Sequence, residues 1–368
     1  MTILLYYPSN LKAVSLSSLM IAFQEQGHSV YLLTQSEKGD LHSEVEEYGV
    51  KTFSYHIKKR FAALFYLDHL RFLKKFIVAH KIDIVYSHLQ QANIVAVWAQ
   101  RSSNARFIIC RHHSDSAYVE LNANAKRADR MINTYGKEFI APSKKVFDQM
   151  TAVEKVDPKK IHLIRYAYDF SKYPEPNSEK VNQLREKYKA KLILVCVARL
   201  IPEKRHQLLF ESVLELVKEG ADIKLLVLSE GYLRDELCSF VENNSLSKHI
   251  FFLGHQTNVI DHLAAADLVV HISASEASNN LIKEAGLVSK PVVCCHDVGD
   301  FDEYLIHDHN SILLDKTNTR VHLTNVLRKV YQNEYNLDKM GERLKDSVTA
   351  LFSIGKVLPE YDQFHKKG

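Results

Sequence analysis

Short apolar runs, rich in β-branched residues, alternate with longer amphipathic stretches along nearly the whole chain. In the first half the runs are ILLYY from Ile3, SVYLLT from Ser29, TFSYHI from Thr52, DIVYSH from Asp83, RFIIC from Arg106 and FIAPS from Phe139. In the second half they are LILVCVAR from Leu192, IKLLVLS from Ile223, IFFLGH from Ile250, LVVHIS from Leu268, PVVCC from Pro291 and SILLD from Ser311. Strands apolar at almost every position are buried on both faces, which is the condition of a parallel sheet sandwiched between helices. The expected fold is therefore α/β and doubly wound. Such sheets collect ligands outside the carboxyl ends of their strands.

A chain of 368 residues is long for one core and comfortable for two. The period breaks between Arg165 and Lys180, where RYAYDFSKYPEPNSEK carries Pro174 and Pro176. The spacing predicts an N-terminal domain over 1–166, a linker over 167–180 and a second domain over 181–350. The tail 351–368 reads as a final helix that packs back on the first domain.

Charge and cysteine usage narrow the partners. A net charge of +4 permits anionic ligands without demanding nucleic acid, and no nucleic-acid motif is present. Five cysteines, four of them in strand-like runs, suit reduced thiols better than a disulfide framework, and none has zinc-ligand spacing. MTILLYYPSN lacks a basic leader and a cleavage site and reads as a first strand, and no run reaches bilayer length. A cytoplasmic location, in part at the inner face of a membrane, is the expectation.

Two segments carry candidate chemistry. In SASEASNNLIKEAGLVSKPVV, a buried strand ends near Ser273 and a helix starts near Asn280, with Ser278 and Asn279 as N-cap residues. The free N–H groups and dipole at that start attract an anion. Asn280 and Glu284 share one helix face, and Glu276 and Glu284 bracket a space in which one ligand could lie. A capped surface helix with a solvated Glu284 is the plain alternative. In VCVARLIPEKRHQLLFESV, Arg199 and Lys204 follow a buried strand directly, where two cations would neutralise a diphosphate, Arg199 as a fork and Lys204 as a point charge.

Taken in order, VARLIPEKRHQLL, LLVLSEGYLRDEL, IFFLGHQTNVIDHLAAADLVVHISASEASNNLIKEAGLVSKPVV and VGDFDEYLIHDHNSILL resemble the nucleotide-sugar half of the family-four retaining glycosyltransferases, also called glycosyl transferases group 1, which have the GT-B fold. The likeness is strong from about Leu192 to Leu314 and fainter in DIVYSHLQQANIVA, FIAPSKKVFDQM and IHLIRYAYDFSKYP. It implies two Rossmann-like domains facing a cleft. It implies metal-independent transfer of a sugar, with retention, from a nucleotide-diphosphate donor to a hydroxyl of a glycan or lipid-linked acceptor. The donor it points to is a UDP-sugar, held as substrate with no cofactor. Arg199 and Lys204 would grip the diphosphate, Glu284 the ribose hydroxyls and Glu276 the transferred sugar. Main chain over Ser278, Asn279, Asn280 and Leu281 would cradle sugar and phosphate. His112 or His113, in IICRHHSD, would lie over the donor sugar.

Several positions depart from the family pattern. The first loop, PSNLKAVSLSS, has no glycine. Ala277, Ser278 and Asn279 replace glycines after the first glutamate, Tyr166-Ala167 replaces the linker's Asn-Gly, and Ser229 and Glu230 also differ. A nucleotide-sugar epimerase of the same fold, or a sugar-nucleotide binder with weak catalysis, therefore stays open. DFD at Asp300 is too weak a match for a metal-binding Asp-x-Asp. The segment HIKKRFAALFYLDHLRFLKKFIVAHK is both aromatic and basic. It reads as a crossover helix, with Lys58, Lys59, Arg60, Lys74 and Lys75 as a candidate contact with an anionic membrane surface.

Overall fold

The computed structural model describes residues 1–58, 61–112 and 123–365. The chain forms two compact units, Met1–Phe170 with Phe352–Gly368, and Ser171–Leu351. The second unit begins inside the segment read as a linker, and a helix, Ser178–Lys187, occupies that segment's end.

The first unit holds a seven-stranded sheet in the order β3-β2-β1-β4-β5-β6-β7. Its strands are β1 Thr2–Tyr7, β2 Ser29–Thr34, β3 Lys51–Ser54, β4 Ile84–His88, β5 Arg106–Cys110, β6 Phe139–Ala141 and β7 Ile161–Leu163. Every pairing is parallel, with Leu5 opposite both Leu32 and Tyr86 at the centre. The expected strand runs fall on β1 to β6. β7 has only three residues and one buried position, too little apolar sequence to stand out. Ile3, Leu5, Phe23, Ile84 and Ile108 fill the core and are essentially inaccessible.

The tail belongs to this unit. Tyr168 N–H donates to Phe352 O at 2.9 Å, and Ile354 N–H donates to Tyr168 O at 2.8 Å. Helix Ile354–His365 then lays Val357, Tyr361 and Phe364 into the core of the first unit.

The second unit repeats the arrangement with β8 Leu192–Val197, β9 Ile223–Leu228, β10 Ile250–Gly254, β11 Leu268–His271, β12 Val292–Cys295 and β13 Ile312–Leu314. Its sheet runs β10-β9-β8-β11-β12-β13, again wholly parallel. Strand order reverses between β1 and β4 in one unit and between β8 and β11 in the other. That reversal opens a crevice at the carboxyl ends of the two central strands, so each unit has a predictable place for a ligand. The five thiols are free, and all but Cys238 are buried. Among the described residues no helix is long and apolar enough to cross a membrane.

Candidate active site

In the second unit, the residues singled out by sequence gather at the β8/β11 switch point. Arg199 lies two residues past the end of β8, and a 3-10 turn, Pro202–Lys204, leads through Arg205 in the left-handed region (φ 56°) into helix His206–Lys218. β11 ends at His271 and is followed by a loop that starts helix Asn280–Leu287. Ala274 N–H donates to Glu203 O at 2.8 Å, and Ser273 Oγ donates to the same carbonyl at 3.3 Å. These bonds fasten one switch-point loop to the other.

Lys204, expected on the diphosphate, and Glu276, expected on the transferred sugar, are in direct contact as an ion pair. Glu276 Oε1 also lies 2.8 Å from His271 Nε2, and Lys204 Nζ lies 3.4 Å from Ser273 Oγ. Burial alone would raise the Glu276 carboxyl. The hydrogen bond and attraction of His271, followed by those of Lys204, outweigh it and hold the group down at about 2. Glu276 is therefore an anion throughout the physiological range. His206, buried behind this cluster, is pushed down to about 4 by burial and by the neighbouring His271 and Lys204, and is neutral.

Arg199 and Glu284 are different. Arg199 is exposed, and its guanidinium makes no hydrogen bond or ion pair among the described residues. Glu284 is half-buried on the second turn of helix Asn280–Leu287 and likewise has no side-chain partner among them. Burial pushes its carboxyl up to about 7. The solvated-helix reading of Glu284 does not hold, because the carboxylate is largely withdrawn from water without compensation.

The loop between the two glutamates is held by side chains. Asn279 is the N-cap, its Oδ1 accepting from Ile282 N–H at 3.3 Å. Ser278 is not a cap. Its Oγ donates to Asp300 Oδ2 at 2.5 Å and accepts from Lys283 Nζ at 2.9 Å. Lys283 and Asp300, both fully buried, pair at 2.5 Å. Gly299, with φ 54°, backs onto the loop, and a Cβ there would sit 3.0 Å from Ala277 O and 3.1 Å from Glu276 Cβ. Gly231 supports the other loop, since a Cβ there would fall 2.4 Å from Leu200 O. Sequence reasoning missed His271, Lys283, Asp300 and Gly299. One signal was available: a lysine flanked by Ile282 and Glu284 inside an apolar stripe. In the DFD motif Asp300 is buried against Lys283, while Asp302 accepts from Asp297 N–H at 2.7 Å. Among the described residues no cluster of His, Cys, Asp and Glu is arranged to hold a metal ion.

In the first unit, His88 ends β4 and His112 follows β5. His88 Nδ1 lies 2.8 Å from His112 Nε2, and His112 Nδ1 lies 2.6 Å from Tyr166 Oη, with the His112 and Tyr166 rings stacked. His113, the alternative to His112, lies outside the described residues, as do Lys59 and Arg60. Beside this chain Arg111 is buried between Asp129 (3.2 Å) and Glu154 (2.8 Å). On helix Ala62–His80, Leu73, Phe76 and Ile77 are buried, as a crossover helix requires, but Leu64, Leu67 and Val78 stay exposed, as does Phe61 just before it.

Comparison with known proteins gives this geometry its family. Residues 177–347 match the family described as glycosyl transferases group 1, and residues 13–172 match glycosyltransferase family 4. The chain is 26% identical over 266 residues, 69% of its length and 70% of the relative's, to the N-acetylgalactosamine-N,N'-diacetylbacillosaminyl-diphospho-undecaprenol 4-alpha-N-acetylgalactosaminyltransferase of Campylobacter jejuni. It is 24% identical over 288 residues to the alpha-monoglucosyldiacylglycerol synthase of Acholeplasma laidlawii, covering 72% of this chain and 70% of that one. Its fold superposes on Anabaena HepE, solved with UDP and glucose, with a TM-score of 0.84 at 18% identity over 99% of this chain and 98% of the other. With the two family matches falling one in each unit, and each unit built on the same doubly wound plan, the chain is a glycosyltransferase of family four, group 1, with the GT-B fold.

Proposed function

We propose that this glycosyltransferase uses a UDP-sugar donor, needs no metal, and transfers the sugar with retention to a hydroxyl of a glycan or lipid-linked acceptor. The observation that carries the donor reading is the contrast at the β8/β11 switch point. Arg199 is an uncommitted cation and Glu284 an uncompensated half-buried carboxylate, beside a helix start whose N–H groups favour an anion. A diphosphate satisfies the cation and the helix start, and ribose hydroxyls satisfy the carboxylate. Lys204 lies close enough to share the diphosphate once a sugar hydroxyl takes its place on Glu276. Charge growing on the departing phosphate oxygens would be met by Arg199, Lys204 and the helix dipole, which stabilises the transition state more than the ground state. UDP is the nucleotide bound by HepE, and the Campylobacter and Acholeplasma relatives are named for lipid-linked or lipid acceptors.

A lipid-linked acceptor fits the exposed face of helix Ala62–His80. Leu64, Leu67, Val78, Arg71 and Lys75 share that face with Phe61, opposite the buried Leu73 and Phe76. Apolar anchors interspersed with cations are what an anionic bilayer surface binds.

The test is a thermal-shift screen of nucleotide sugars. At about a hundred times Kd, the true donor raises the melting midpoint by roughly 5–10 °C above that of the unliganded protein, and Glu284→Ala erases that ligand-dependent shift. Equal shifts with and without Glu284 would refute the ribose assignment. Product formed from donor and acceptor, followed by NMR at the anomeric centre, decides retention. Donor turned over without an acceptor to a second sugar nucleotide would replace transfer with epimerisation.

A further inference from the structure

One charged cavity of the first unit takes no part in donor binding as proposed. It lies between helix Ala123–Tyr135 and the turn that follows the π-helix Gln149–Val153, and has an open volume of about 340 Å³. Its floor is ionic and already committed. Buried Arg111 lies 2.8 Å from Glu154 Oε1 and 3.2 Å from Asp129, and Asn133 Nδ2 donates to Glu154 Oε2 at 2.6 Å. Among the described residues lining the cavity Glu154 is the one carboxylate, and both its oxygens are taken.

The rim is cationic. Arg130 lines it from the helix and Lys155 from the turn, both exposed. Arg130 has no ion pair or side-chain hydrogen bond among the described residues. Lys155 donates one ammonium N–H to Ala152 O at 2.7 Å and keeps two. The floor, with two carboxylates against Arg111, has one net negative formal charge, which one rim cation offsets. Positive charge therefore remains at the mouth, before Lys126, which also lines it, is counted. The backbone is distorted to build this rim. The π-helix is a rare form, and Lys155 follows it at φ 60°, where a lysine is strained. Strain of this kind persists where the surrounding structure imposes it and concentrates at ligand sites. Val153, 51% exposed, stands beside the cations as an apolar lip.

We propose that this cavity binds a phosphate ester, with Arg130 and Lys155 on the phosphate oxygens and Val153 against the organic substituent. A guanidinium fork takes two oxygens and the ammonium a third, which a phosphate supplies and a carboxylate does not. The inference is independent of the donor reading, which concerns the second unit. A free phosphate ester and the headgroup of an anionic lipid offer the same chemistry, and the experiment separates the two sources.

Glycerol 3-phosphate is titrated into the 15N-labelled full chain with UDP in excess, and the amide shifts of Thr134 and Lys155 are followed. Co-sedimentation with phosphatidylglycerol vesicles is measured beside it, against phosphatidylcholine vesicles. Arg130→Gln with Lys155→Gln should weaken the binding by roughly tenfold or more, because each side chain supplies a charge-assisted bond. Arg127→Gln with Lys137→Gln removes the same charge from exposed positions outside the cavity lining and should change it by less than about twofold. Saturable glycerol phosphate shifts that need Arg130 and Lys155 identify a soluble ester. Vesicle binding that needs the same two residues, with no glycerol phosphate shift, identifies a lipid headgroup. Binding of neither probe, or equal losses in the two double variants, overturns the proposal. Failure of the donor reading would appear separately, as a melting midpoint that UDP does not move, with the result at the cavity unaffected.

Discussion

The two units end their central strands in opposite ways. At β8 and β11 the side chains are ionic: Lys204 on Glu276, Lys283 on Asp300, with Arg199 and Glu284 lacking a side-chain partner among the described residues. At β4 and β5 the side chains form a hydrogen-bonded chain, His88 to His112 to Tyr166, beside the buried ionic Arg111–Asp129–Glu154 group. One plan of strands thus supports two electrostatic environments. A charged crevice suits a ligand with a diphosphate. A crevice lined by directional hydrogen bonds suits hydroxyls, where orientation counts for more than Coulomb attraction.

The largest effect that can break this contrast lies in the charged unit. Lys283→Met leaves Asp300 fully buried without its cation, a change that costs about 3–5 kcal/mol. Urea unfolding followed by probes in each unit should show the second unit melting earlier and the first unchanged. A loss below about 1 kcal/mol would mean the pair does not hold the loop.

Next is Arg199→Ala. Removing a donor to the leaving phosphate should reduce kcat by roughly a hundredfold to a thousandfold. Exposed Arg199 supports no other side chain, so the melting midpoint should hardly move. A large stability loss would show that the cation belongs to the fold and not to the ligand.

Glu284→Gln is a smaller and pH-dependent effect. The folded-state pKa, about 7, lies above the ordinary 4.5, so the folded protein holds the proton more tightly than the unfolded chain. Stability then falls as pH rises from about 4.5 to about 7 and levels off above, by an amount on the order of 1–3 kcal/mol. Glutamine removes that slope. Identical pH profiles for wild type and variant would place Glu284 in water.

The smallest effect is at the exposed face of helix Ala62–His80, proposed to meet a membrane. Lys74→Glu with Lys75→Glu should weaken co-sedimentation with anionic vesicles by about 1 kcal/mol per charge removed and leave transfer to a soluble acceptor intact. No change in vesicle binding would confine helix Ala62–His80 to packing.

Much of this was legible in the chain itself, unevenly. β1 to β6 and β8 to β13 could be read because buried parallel strands need apolar residues at every position; β7, with three residues, carried too little pattern. Arg199, Lys204, Glu276 and Glu284 could be singled out as candidates because they follow the ends of buried strands. The site was not legible where partners lie far apart in sequence. Nothing near Lys204 announces that it pairs with Glu276, 72 positions away, and nothing near Ser278 announces Asp300.

Local periodicity and residue chemistry determined two doubly wound sheets, their ligand ends and the ionic character of one of them, because those are properties of short segments. Tertiary structure alone decided which charges neutralise each other and which, among the described residues, do not. Pairing depends on distances that only the crossover connections set, and burial, which raises Glu284 and silences His88, is a property of everything packed around a group and not of its neighbours in sequence.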